Sequence, residues 1–110
     1  MEIEVVGRML STLPAADDHP YRTGPWQPQT TEWAADDLEI EGDLPADLNG
    51  VYLRNTENPL HPSIGRYHPF EGDGMVHLMG FRDGKAFYRN KFVRTDALLA
   101  EQDAGESLWV

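Results

Sequence analysis

Apolar and polar residues alternate with period two through one long stretch, Arg66 to Arg94, which reads RYHPFEGDGMVHLMGFRDGKAFYRNKFVR. Met75 to Arg82 and Lys85 to Arg94 are rich in the aromatic and β-branched residues that suit strands. Between them lies Asp83-Gly84, a pair that takes positive φ at little cost and closes a two-residue hairpin. With that turn as the whole loop, Arg82 faces Lys85, Phe81 faces Ala86, Met79 faces Tyr88 and His77 faces Asn90. One face then carries Met75, His77, Met79, Phe81, Ala86, Tyr88, Asn90 and Phe92, with His77 and Asn90 set to satisfy each other. The other carries Val76, Leu78, Phe87 and Val93 among the stems of Arg82, Lys85, Arg89 and Lys91. A sheet with one wet face alternates more cleanly than this. Both faces are therefore expected to be covered, as in stacked sheets.

Around the hairpin the pattern is weaker. Glu2 to Leu10 fits a short strand or a helical turn equally well. Pro14 to Pro28 holds four prolines and Gly24 and reads as coil. Trp26 and Trp33 suggest that this leader lies as an extended arm along something already folded. Leu38 to Gly42 alternates as a short strand does. Leu44 to Leu48, with Pro45 near its start and Asn49-Gly50 after it, fits one helical turn. Gly50 to Arg54 is a compact strand, Asn55 to Gly65 a loop with two prolines, and Thr95 to Gly105 a polar connection with helical bias over Ala97 to Glu101. Ser107 to Val110 begins another strand, so the chain is expected to be the amino-terminal piece of a longer protein.

Charge divides the 110 residues in two. Residues 1–49 hold eleven acids against Arg8 and Arg22, a net −9, whereas residues 50–110 hold eight acids against seven bases, a net −1. The organisation this suggests is an acidic, irregular leader over residues 1–37 and a β-rich body over 38–110. A total of −10 argues against nucleic acid as a partner, because phosphates need Lys and Arg opposite them. The absence of cysteine excludes disulfides, thiolate zinc sites and cysteine nucleophiles. No run of about 18 apolar residues is present to span a bilayer as a helix, and the acidic start lacks the order of a signal peptide. A cytoplasmic location is the resulting expectation.

Candidate chemistry is thin. His19, His61, His68 and His77 match no local ligand spacing, and each reads as a structural histidine. Glu71 and Asp73 flank Gly72 as a possible acid–base pair or calcium half-site. The calcium pattern needs a longer run of alternating acids, so the pair is expected to form a turn whose carboxylates cap nearby amides. Arg54, Asn55 and Arg66 border the proline-rich loop and would suit an anion. Without a phosphate-cradling glycine loop, Asp73 and Glu57 are their simpler partners.

Two longer strings carry a resemblance. LPADLNGVYLRNTENP and YHPFEGDGMVHLMGFRDGKAFYRNKFVRT resemble the amino-terminal region of the carotenoid cleavage oxygenases, including the lignostilbene-type dioxygenases. The match runs from about Leu38 to Thr95. It departs at Thr56-Glu57, where much of the family reads RNGPNP, and the RNTENP form is closer to the stilbene-cleaving side. The resemblance implies an all-β fold: about one blade, plus the irregular leader, of a seven-bladed β-propeller. It also implies a non-haem iron enzyme, in which Fe(II) held by four histidines serves oxidative cleavage of a conjugated C=C bond by O2. The substrate class is a hydrophobic polyene (carotenoid or apocarotenoid) or a stilbene. The family's iron-binding histidines lie downstream of this region. No residue here is therefore assigned as catalytic, cofactor-binding or metal-ligating, and this stretch alone is expected to be inactive, to hold no iron and to be marginally stable. Two other readings stand beside it: a small standalone β-sandwich binding module, and a propeller without catalytic iron.

Overall fold

A computed structural model describes residues 1–109. Its centre is the hairpin: β4, Asp73–Arg82, and β5, Lys85–Phe92, joined by Asp83-Gly84. Both turn residues have positive φ, 53° and 75°, the backbone of a tight hairpin whose twist matches its strands. The register is the one the turn dictates, with Arg82 opposite Lys85 and His77 opposite Asn90. At Gly80 a side chain would overlap the ring of Phe87, which lies across its facing partner. Glycine lets the aromatic cover the sheet there.

Three more strands extend this hairpin into one five-stranded antiparallel sheet, in the order β1-β2-β5-β4-β3. Strand β3 is Gly50–Asn58, longer than expected: Asn55 to Asn58, read as loop, continue the ladder opposite Asp73 to Val76. Strands β1, Glu2–Arg8, and β2, Thr31–Asp36, come from the leader. The irregular leader is thus corrected, since its two ends pair with each other and β2 pairs with β5. Trp33 sits in β2, half-buried, and Trp26 stands in a short 3-10 turn with its ring edge-on to Tyr21. Leu38 to Gly42 is not a strand. Asp37, with φ 55°, turns the chain, and the Leu38 N–H donates instead to the Ala86 carbonyl at 2.8 Å.

Pro45 to Leu48 closes the expected single turn through a 3.1 Å bond. The helical bias near the end becomes α1, Asp96–Ala104, started by the Thr95 hydroxyl accepting from the Leu98 N–H and stopped at Gly105 in the left-handed conformation. Ser107 to Trp109 forms no strand, and Val110 lies outside the described residues.

The core lies at one end of the sheet. Met75 at the start of β4 and Phe92 at the end of β5 meet Leu60 from the loop after β3 and Leu98 from α1, with Met9 against them. Among the described residues there is one sheet, so neither face is roofed by a second and a sandwich is not formed.

Candidate functional site

Polar side chains gather on the face of β3, β4 and β5 that also carries Tyr88. His77 has both ring nitrogens engaged: Nδ1 lies 2.6 Å from the Tyr88 hydroxyl and Nε2 lies 2.8 Å from Thr56 Oγ1. The single Thr56 hydroxyl proton goes to the Met75 carbonyl at 3.4 Å, and Oγ1 accepts from Asn58 Nδ2 at 3.3 Å. The tautomer that satisfies this network places the ring proton on Nε2, donating to Thr56, while Tyr88 donates to Nδ1. Burial, and then the nearby Arg54 charge, push the His77 pKa down, so the ring is neutral at pH 7. A cleft of about 460 Å³ opens beside it, lined by Trp26, Gln29, Arg54, Asn55 and Thr56. With both nitrogens used, His77 offers that cleft no free lone pair.

Asn90 does not pair with His77 as expected. Its Oδ1 accepts from the Trp33 N–H, and its Nδ2 donates to the Thr31 carbonyl at 3.1 Å and to the Met75 sulfur at 3.4 Å. Asn90 therefore fastens β2 to β5 where their main-chain pairing has ended at Ala34. Beside it lies an ion pair that sequence reading missed. Glu32, almost fully buried, accepts from both Arg94 terminal nitrogens at 2.6 and 3.0 Å and from the Phe92 N–H at 2.9 Å. The Arg94 bond, followed by the Phe92 amide, outweighs burial and holds the Glu32 carboxyl below its usual range. The one signal for it was an acid, Glu32, directly before Trp33 in the TEWAAD segment, with its partner 62 residues away.

The EGDG turn divides its two acids. Glu71 caps as expected, accepting from the His68 N–H at 3.1 Å, while His68 Nδ1 accepts from the Phe70 N–H. Asp73 instead sits half-buried near Glu101, and burial with that neighbouring charge raises its pKa to about 6. Next to it burial pushes Tyr67 up to about 12. His61, also buried, has Nδ1 2.8 Å from Thr12 Oγ1 and Nε2 3.4 Å from Gln102, and burial lowers its pKa. His19 Nδ1 accepts from the Tyr21 N–H at 3.1 Å. The expected partners of Arg54 and Arg66 do not form. The ion pairs among the described residues join Arg22 to Asp17, Arg89 to Asp36 and Arg94 to Glu32.

A family model described as "Retinal pigment epithelial membrane protein" matches residues 26–110. The chain belongs to that family. Carotenoid cleavage oxygenase of Mycobacterium tuberculosis is 45% identical over 94 residues, 84% of this chain and 19% of that protein. Lignostilbene-alpha,beta-dioxygenase isozyme III of Sphingomonas paucimobilis is 39% identical over 88 residues, 79% of this chain and 18% of that protein. The crystal structure of Pseudomonas brassicacearum lignostilbene dioxygenase superposes with a TM-score of 0.78 at 39% identity, covering 83% of this chain and 19% of that one. The chain thus spans about one fifth of the length of the relatives it matches. The all-β, blade-sized reading of this retinal pigment epithelial membrane protein family member stands, with the leader's two strands added to the blade.

Iron, which the earlier resemblance implies, finds no ligand set among these residues. Both ring nitrogens of His61 and His77, and Nδ1 of His19 and of His68, are committed to hydrogen bonds within the fold. No three His, Cys, Asp or Glu side chains among the described residues converge as metal ligands.

Proposed function

We propose that this chain forms a blade of a non-haem Fe(II) dioxygenase that splits a conjugated C=C bond of a carotenoid, apocarotenoid or stilbene. In that reaction the double bond and O2 are consumed and two carbonyl products form. Each product takes one oxygen atom, and no external reductant is used. The observation that supports this most is that identity of 45% to a carotenoid cleavage oxygenase and a TM-score of 0.78 to a lignostilbene dioxygenase fall on the same stretch. The iron and its histidines belong, in this reading, to other parts of the protein. These residues contribute a rigid sheet whose Tyr88–His77–Thr56 network fixes the face beside the cleft.

The two likenesses divide on substrate, so both substrate classes belong in the assay. The polypeptide encoded by the gene that carries this chain, loaded with Fe(II), is given a carotenoid and a hydroxystilbene under isotopically labelled O2. Label in both carbonyl products of one substrate is the expected result, while the 110-residue chain alone leaves both substrates intact. An iron-loaded protein that cleaves neither would end this reading.

A further inference from the structure

The chain's asparagines, at positions 49, 55, 58 and 90, differ in how exposed they are to their own main chain. An Asn side-chain amide is lost when the backbone nitrogen of the next residue attacks Cγ, and a side chain on that next residue obstructs the attack. Asn58 precedes Pro59, which has no N–H to release. Asn55 precedes the β-branched Thr56 inside β3. Asn90 is buried with its amide held by three partners. Asn49 alone precedes glycine.

The surroundings of Asn49 favour the reaction. Asn49 and Gly50 are both exposed, and nothing lies within 4 Å of where a Gly50 side chain would be. Gly50, with φ 138°, pairs with Phe81 as the last rung of the β3–β4 ladder, so fraying one pair frees its N–H. The Asn49 side chain is tethered through Oδ1, which accepts from the Asp83 N–H at 3.3 Å. That bond polarises the same carbonyl the Gly50 nitrogen must attack, and it stabilises the charge that develops on Oδ1.

We propose that Asn49 is a deamidation site built into the root of β3. Hydroxide takes the Gly50 amide proton, the nitrogen bonds to Asn49 Cγ, the Cγ–Nδ2 bond breaks, and ammonia leaves a five-membered succinimide. Water opens that ring at one of its two carbonyls, giving aspartate or isoaspartate at position 49. Water is the only co-reactant, and no electrons are exchanged. Either product places a new carboxylate close in sequence to Asp47 and close in space to Asp83. The isoaspartyl form also lengthens the main chain by a methylene and pulls Gly50 away from Phe81.

The chain is held in mildly alkaline buffer and followed by peptide mass mapping and by isoaspartyl methyltransferase labelling. The mass gain and the methyl label are expected in the peptide containing Asn49, with a rate that rises in proportion to hydroxide and with Asn55, Asn58 and Asn90 unchanged. Asn49→Gln keeps an amide but needs a slower six-membered ring, and it is expected to lose both signals. Conversion at another asparagine while Asn49 stays intact would overturn the proposal. So would an Asn49→Gln chain that gains label at the original rate.

Discussion

The two ends of the sheet are made of similar residues in different surroundings. Where β4 begins and β5 ends, Met75 and Phe92 are sealed by Leu60 and Leu98, each no more than 2% exposed. Where β3 begins, Val51, Tyr52 and Leu53 are 58 to 59% exposed, and Ile3 and Val6 on β1 are nearly as open. Strand sequence does not separate the two ends, since both are rich in large apolar side chains. What separates them is connection. The loop after β3, the segment after β1 and helix α1 all return over the first end, where the Thr12 N–H donates to the Leu60 carbonyl and Gln102 grips the Leu10 main chain by two 2.7 Å bonds. At the other end the β2–β3 connection meets the sheet only at its rim, through the Leu38 N–H on the Ala86 carbonyl and the Asn49 side chain on the Asp83 N–H, and leaves Val51 to Leu53 open.

The largest effect therefore belongs to the sealed end. Phe92→Ala is expected to cost about 3–5 kcal/mol, a large share of the roughly 5–15 kcal/mol that holds a small domain. Leu53→Ala, at the open end, is expected to cost less than about 1 kcal/mol. Urea midpoints read by circular dichroism measure both, and equal costs would erase the distinction between the ends. Next comes the tie between the leader and the hairpin. Glu32→Gln strips Arg94 of its charged partner while leaving an acceptor for the Phe92 N–H, for a loss of about 2 kcal/mol. Because the Glu32 carboxyl is held below its usual range, its contribution is present above the unfolded pKa and is lost as pH falls through the folded one. The gap between wild type and Glu32→Gln should accordingly close on acidification.

The sealed end also marks where the sequence could be read and where it could not. The hairpin and its register were legible because Asp83-Gly84 and a period-two pattern act within a few residues. Strand β1 was legible only as one of two options, short strand or helical turn, and β2 was not legible, because Ala34-Ala35-Asp36 has little intrinsic strand preference. Their evidence is non-local: a bulge at Val5–Gly7, where a Gly7 side chain would strike the Glu32 carboxylate, and an Arg94 bond spanning 62 residues. His77 and Asn90 face each other as read, yet each bonds elsewhere. The Tyr88 hydroxyl reaches His77 diagonally, and Asn90 turns to the bare main chain of β2. The cleft beside His77 was not legible, because it depends on Trp26 and Gln29 arriving from the leader.

A smaller effect, opposite in sign to that of Glu32, belongs to Asp73 beside Glu101. Its folded pKa of about 6 lies above the ordinary aspartate value of 3.8, so the folded state holds the proton more tightly than the unfolded chain does. Stability from this group is therefore greatest at acid pH and falls as pH rises through about 6. Asp73→Asn removes the buried charge and, with allowance for partial solvent screening, is expected to stabilise the chain by about 1 kcal/mol at neutral pH. Melting temperatures taken across pH give the check. The variant's advantage should vanish at low pH, and an advantage that persists there would mean that burial of this charge does not matter.

The smallest change in folding energy is expected at the open edge, where Leu53→Lys replaces a solvated apolar side chain by a solvated charge. Stability should move by less than about 0.5 kcal/mol. Association should move much more. Strand β3 is an edge of the sheet with three consecutive large apolar residues, and among Val51 to Asn58 its only charges are Arg54 and Glu57. Such an edge is a template for pairing with another chain unless a charge, typically Lys, blocks it. Sedimentation over a range of concentrations should therefore show wild type associating and Leu53→Lys staying monomeric. A variant that unfolds instead would show that Leu53 is packed within its own chain, and the contrast between a self-sealed end and an end left open would fail at that residue.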